Sequence, residues 1–109
     1  MKINQHTTDH TFTLVLDGEL DASSSVLLDT ELNQPSILEY QKVLIDCQKL
    51  NYISSAGLGV FISHLQRFQD ANVKLVFFNM QEKVHNVFEI LGLDSLLTIV
   101  PSQAEATAI

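Results

Sequence analysis

The stretch Leu50-Asn51-Tyr52-Ile53-Ser54-Ser55-Ala56-Gly57-Leu58-Gly59 passes from a buried-strand pattern into an amphipathic-helix pattern through small and hydroxyl-bearing residues. Downstream of it, Leu58, Phe61, Ile62 and Leu65 recur at i, i+3, i+4 and i+7, and Phe68 extends the stripe, so a helix follows, with Asn72 as its stop. Upstream, Lys42 to Cys47 (KVLIDC) is a short apolar run ending in an acidic residue, the pattern of a buried strand whose carboxyl end reaches the surface. The junction therefore exposes a helix N-terminus. Its first backbone N–H groups have no intrahelical partners and the macrodipole is positive there, so a hydroxyl caps it and an anion is tolerated. Ser54 or Ser55 must be that cap. One reading is structural: two serines start a helix and small neighbours let it pack close to the strand. The other is chemical: one hydroxyl accepts a phosphoryl group, adding about −1.5 to −2 charges. Spacing alone favours the structural reading, because serine caps are common.

Working outward, Phe12 to Leu16 reads as a strand closing at Asp17-Gly18 in a turn or bulge, and Met1 to Gln5 alternates as an edge strand beside it. Asp21 and the serines after it supply N-cap chemistry before Val26, Leu27, Leu28 and Leu32, a helix that Pro35 interrupts. Val73 to Phe78 is the next strand. Asn79 with Glu82 resembles a capping box opening a helix with Val84, Val87, Phe88 and Leu91 on one face, and Gly92 stands where a left-handed cap belongs. Leu96 to Val100 is a last short strand, and Ser102 with Glu105 opens a terminal helix expected to fray. Strands alternating with helices that carry a single apolar stripe predict an α/β domain. Its sheet is mixed, mostly parallel and four- to five-stranded, with helices packed mainly on one face.

With 109 residues, 46% of them hydrophobic, the chain has material for one core, so residues 1–109 are expected to form a single domain. Asp and Glu outnumber Lys and Arg by 13 to 6, for a net charge of −7, and the basic residues are scattered. Nucleic acid is thereby excluded as a partner, because backbone affinity comes from clustered Lys and Arg. Residues 1–9 lack the apolar run of a secretion signal, and nothing matches a bilayer span, so no direct membrane insertion is expected. One cysteine, Cys47, makes no internal disulfide. A cytoplasmic location is the expectation.

Ile53-Ser54-Ser55-Ala56-Gly57-Leu58-Gly59 resembles the signature of STAS domains, the family of bacterial anti-sigma-factor antagonists and related regulators. Gly18-Glu19-Leu20-Asp21 resembles the family's second landmark, and Val87-Phe88-Glu89-Ile90-Leu91-Gly92-Leu93 its third-helix ending. The three occur in the family's order and span nearly the whole chain. In that family the acceptor serine lies two residues before the first glycine of Gly-Leu-Gly, which selects Ser55. The best-known members carry aspartate where Ser54 stands and serine or threonine where Ala56 stands, so the chain departs on both sides of the acceptor.

The resemblance implies a partner-switching cycle. Unphosphorylated, the domain binds an anti-sigma factor that is also a serine kinase, through Asp21, Ser54, Ser55, Ala56, Gly57 and Leu58. Phosphorylated on Ser55, it lets go, and a PP2C-type phosphatase resets it. The alternative within the family is a STAS subunit of a transporter or signalling complex without phosphorylation control.

Other chemistry finds little support. Asp46 reads as a solvated carboxylate at a strand end where loops gather, and Asp21 also reads as a plain N-cap. Cys47 has no base or cation close in sequence, which favours a buried small hydrophobe over a nucleophile. His6, His10, His64 and His85 lack metal-ligand spacing, and the last two fall off the apolar stripes, facing solvent. No lysine follows the glycines as in a phosphate-binding loop, and neither Gly-x-Ser-x-Gly nor a three-glycine dinucleotide fingerprint is present. Phe12, Phe61, Phe77, Phe78 and Phe88 belong to strands or stripes, so packing explains them better than base stacking. A non-enzymatic domain with no cofactor and no metal is the expectation, and a small enzyme or nucleotide-binding domain ranks last.

Overall fold

Phe12, Leu14 and Leu16 alternate with Thr11, Thr13 and Val15, and in the computed structural model, which describes residues 1–109, the first set is buried and the second partly exposed. This alternation builds β2 (Thr11–Leu20), which pairs antiparallel with the edge strand β1 (Lys2–Thr7) and parallel with β3 (Lys42–Ile53). Parallel pairing continues to β4 (Lys74–Phe78) and β5 (Thr98–Val100), so the five strands lie in sequence order. The crossovers are the helices α1 (Ala22–Leu32), α2 (Ser55–Asp70) and α3 (Glu82–Ile90), and α4 (Gln103–Ala108) ends the chain. The predicted α/β architecture is the one observed.

The main core lies between one sheet face and the three crossover helices. Leu28 and Leu32 of α1, Leu58, Phe61 and Phe68 of α2, and Val84 and Phe88 of α3 meet the inward residues of the strands there. Phe61 stands edge-on to Phe77 with centroids 4.8 Å apart. On the other face a small cluster of Leu44, Val76 and Phe78 is covered by Ala106, with Val100 packed against it. That fully buried alanine, with the Lys42 ammonium donating to the Thr107 carbonyl, pins α4, which was expected to fray.

Several local expectations are corrected. Of the turn or bulge expected at Asp17-Gly18 the structure shows a bulge, and it does not close the strand: the register with β3 slips at Val15/Asp17 and Gly18/Glu19, and Gly18 adopts φ +119, open to glycine without strain. The strand therefore runs on to Leu20, and β3 runs with it past Cys47 to Ile53. Beyond Cys47 the pattern changes: Gln48, Lys49, Asn51 and Tyr52 are exposed and only Leu50 and Ile53 turn inward. Asp46 consequently lies mid-strand between Val15 and Phe78, not at an end, and its Oδ1 accepts the Gln48 N–H. The box proposed at Asn79 does not form. Asn79 takes a left-handed φ of 57 to turn the chain off β4, and Gln81, the residue before α3, does not cap it, its side-chain amide donating instead to the Gln48 carbonyl at 2.9 Å. Asn72 (φ 58) and Gly92 (φ 73) do end their helices in the left-handed region.

His64 is the largest departure. It is 5% exposed rather than solvent-facing, while Ile62, assigned to the stripe, is 40% exposed. The buried face of α2 is turned toward α1, where the Asp29 carboxylate lies 2.8 Å from His64 Nε2. Arg67 Nη2, a donor, lies 3.3 Å from Nδ1 and also reaches the Leu32 carbonyl, so Nδ1 accepts and Nε2–H donates to Asp29. A polar residue tolerates burial when both ring nitrogens are satisfied in this way. His85, by contrast, is a surface residue paired with Glu89 at 3.1 Å, as expected.

Candidate functional site

Strands β2 and β3 finish in register, Leu20 opposite Ile53, and the Ser54 N–H donates to the Leu20 carbonyl at 2.8 Å. Each strand then enters a helix, so the N-termini of α1 and α2 lie side by side at one end of the sheet. Landmarks some thirty residues apart in the chain are thereby brought together.

Asp21 is the cap of α1. Its carboxylate accepts the Ser24 N–H at 2.9 Å and the Ser23 hydroxyl at 3.0 Å, and its own N–H donates to Ser24 Oγ, which closes the box. These donors, the Ser24 amide first and the two hydroxyls next, hold the Asp21 carboxyl at about 2, below its ordinary 3.8. A depressed folded-state value means that the charged cap contributes fully above pH 4 and is lost as the pH falls from there toward 2. Asp21→Asn keeps an acceptor at the cap without the titration. Thermal melts from pH 5 to pH 2 should therefore show a steeper acid loss for the native chain than for Asp21→Asn.

The choice between the two serines is settled at α2. Ser54, in extended conformation, caps the helix by accepting the Gly57 N–H at 3.2 Å. Ser55 is the first helical residue, exposed, with its hydroxyl in no hydrogen bond. Gly57 answers a packing demand: a Cβ there would stand 2.6 Å from Leu20 Cγ. Of the residues expected to bind a partner, Ser55 and Ala56 are exposed, Asp21 and Ser54 are partly so, and Gly57 and Leu58 are buried. The last two can act only by seating the helix.

The first turns of α1 and α2 contain no acidic side chain, so the positive end of the longer helix faces a neutral cap. The elements that meet there also carry exposed apolar side chains that the sequence reading did not single out for the surface: Val26 (67% exposed) and Leu27 on α1, Tyr52 near the end of β3, and Ile62 on α2. A signal was present, since α1 carries more large apolar residues than one stripe can bury. Cys47 lies in the core, where burial and then the neighbouring Asp46 charge push its thiol well above the usual range. No group of His, Cys, Asp and Glu side chains has metal-binding geometry, and no helix is long and apolar enough to cross a membrane.

A family model described as STAS domain matches residues 2–106. The chain belongs to the STAS domain family. It is similar to the anti-sigma-B factor antagonist of Listeria monocytogenes, 28% identical over 105 residues, covering 96% of this chain and 91% of that protein. Among solved structures, the STAS fold here is similar to that of the Thermotoga maritima protein TM1081, with a TM-score of 0.85, 22% identity, and coverage of 97% of this chain and 92% of the other. It is also similar to the phosphorylated form of the Bacillus cell fate determinant SpoIIAA, with a TM-score of 0.73, 17% identity, and coverage of 98% and 97%. STAS proteins of the antagonist family are non-enzymatic regulators.

Proposed function

We propose that this chain is an anti-sigma factor antagonist controlled by phosphorylation of Ser55. One observation carries the reading: Ser54 takes the capping duty, leaving the Ser55 hydroxyl exposed and free at the N-terminus of a 16-residue helix. In the forward step Ser55 Oγ attacks the γ-phosphorus of ATP held by the partner, the bond to ADP breaks, and the serine proton leaves to a base on the kinase. The product dianion lies at a positive helix end, so the domain stays folded while its surface changes.

In the unphosphorylated state the domain binds an anti-sigma factor that is also a serine kinase, with Val26 and Ala56 beside Ser55 in the contact and Asp21 at its edge. A dianion in that contact must be desolvated at the end of the sheet that also carries the Asp21 carboxylate. Weakening a complex from about 1 nM to about 1 µM takes roughly 4 kcal/mol, within reach of one buried, unpaired charge. A PP2C-type phosphatase restores the binding form.

The test is incubation with ATP and an anti-sigma factor kinase shown to be active, followed by intact-mass measurement and peptide mapping. A single phosphate on Ser55, absent from Ser55→Ala, is expected. An unmodified chain, or a phosphate carried by Ser54, overturns the proposal and leaves the STAS module without phosphorylation control, for which Ser54 in place of the usual aspartate is the supporting feature.

A further inference from the structure

His64 and Arg67 stand one turn apart on α2, and Asp29 of α1 meets them where the two helices pack. The imidazole is buried and stacks on Phe68, with ring centroids 6.0 Å apart, so packing fixes its place. The charged side chains that meet the ring come one from each helix: Asp29, 2.8 Å from Nε2, and Arg67, 3.3 Å from Nδ1. An arginine donates and never accepts, so its contact with Nδ1 selects the neutral ring that carries its proton on Nε2.

Protonation alters this arrangement at one atom. A second N–H appears on Nδ1 and points at the guanidinium, turning a hydrogen bond into an encounter of two donors and two cations. On the other side the Asp29 carboxylate gains an ion pair, which favours the imidazolium. The ring therefore keeps Asp29 and gives up Arg67. Arg67 is the member able to leave, because its side chain is partly exposed and its Nε–H is buried without an acceptor, a group that water would satisfy. It surrenders its place over the Phe68 ring, 5.2 Å from the centroid, and its bond to the carbonyl of Leu32, the last residue of α1.

We propose that His64, Asp29 and Arg67 form a pH-sensitive latch between α1 and α2, closed while the imidazole is neutral and opened at its Arg67 arm by protonation, which frees the end of α1. The latch does not rest on the Ser55 reading, since His64 follows Ser55 by nine residues of α2, about 14 Å.

The experiment is a titration of the full chain from pH 8 to pH 5, the range in which histidine changes charge, with the His64 ring nitrogens, the Arg67 Nε–H and the backbone amides followed by NMR. At pH 8 the His64 proton should reside on Nε2. As the ring titrates, the Arg67 Nε–H and the amides of Leu32, Asn33 and Gln34 should move with the same midpoint. They should stay still in His64→Gln, which keeps a donor for Asp29 and has no proton to gain. Asp29→Asn removes the attracting carboxylate and should lower the midpoint by roughly one pH unit. Arg67→Met removes the repelling charge, so it should raise the midpoint and abolish the response at Leu32 to Gln34. Asp29 and Arg67 are both partly exposed, so these two variants carry the test should His64→Gln fail to fold. A proton on Nδ1 at pH 8, a ring that stays neutral throughout or titrates without moving Arg67, responses that persist in His64→Gln, or midpoints displaced the other way would each overturn the latch.

Discussion

Ser55→Glu should lower the affinity for the anti-sigma factor at least ~100-fold, about 2.7 kcal/mol, without lowering the melting temperature. The two halves of this expectation have separate causes. Ser55 is exposed and holds no hydrogen bond, so its replacement removes nothing from the fold, and a carboxylate in the first turn is favourable by about 0.3–1 kcal/mol. The loss of affinity comes from the interface, where the new charge must be desolvated. Ser55→Ala is the control and should bind within a few-fold of the native chain. Calorimetric titration against the partner, with parallel melts, measures both. A Ser55→Glu variant that binds normally would remove the switch; one that unfolds would show that the residue is structural after all.

Gly57→Val should be among the most destabilising single changes at the site. A Cβ at that position falls 2.6 Å from Leu20 Cγ and 2.7 Å from Cδ2, and Leu20 is fully buried, with no room to withdraw. Overpacking of this kind costs about 1–3 kcal/mol, or roughly 4–8 °C of melting temperature per kcal/mol in a domain of this size. It should also displace the start of α2 from Leu20, and with it Ser55, so partner affinity falls together with stability. Gly59 is the contrast. Nothing stands within 4 Å of a Cβ there and the position is exposed, so Gly59→Ala should raise stability by about 0.8–1 kcal/mol. Equal melting temperatures for the two variants would contradict the packing account of Gly57.

Legibility differed among residues for physical reasons. Ser102, Asp21, Gly92 and Asn72 act through bonds or dihedrals that close within a few residues, and their roles as caps or helix ends could be read from the chain. Asn79 was misread although the same chemistry was available. Its neighbour three residues on could have completed a box, but the sharp exit from β4 demanded a left-handed residue there instead. His64 was misread because hydropathy takes no account of a partner 35 residues away: Asp29 on α1 makes its burial affordable. Val26 and Leu27 were counted toward a core stripe, yet both are exposed on α1.

The amino-acid sequence by itself determined the order of strands and helices and the place where a serine-bearing helix begins. These follow from alternation, helical spacing and capping, all of which act over a few residues. Only the tertiary structure decided which serine caps α2, how far β2 and β3 run, and that Asp21 and Ser55 share one end of the sheet. Those outcomes depend on strand register and on which surfaces meet, and both are fixed by packing between segments distant in the chain.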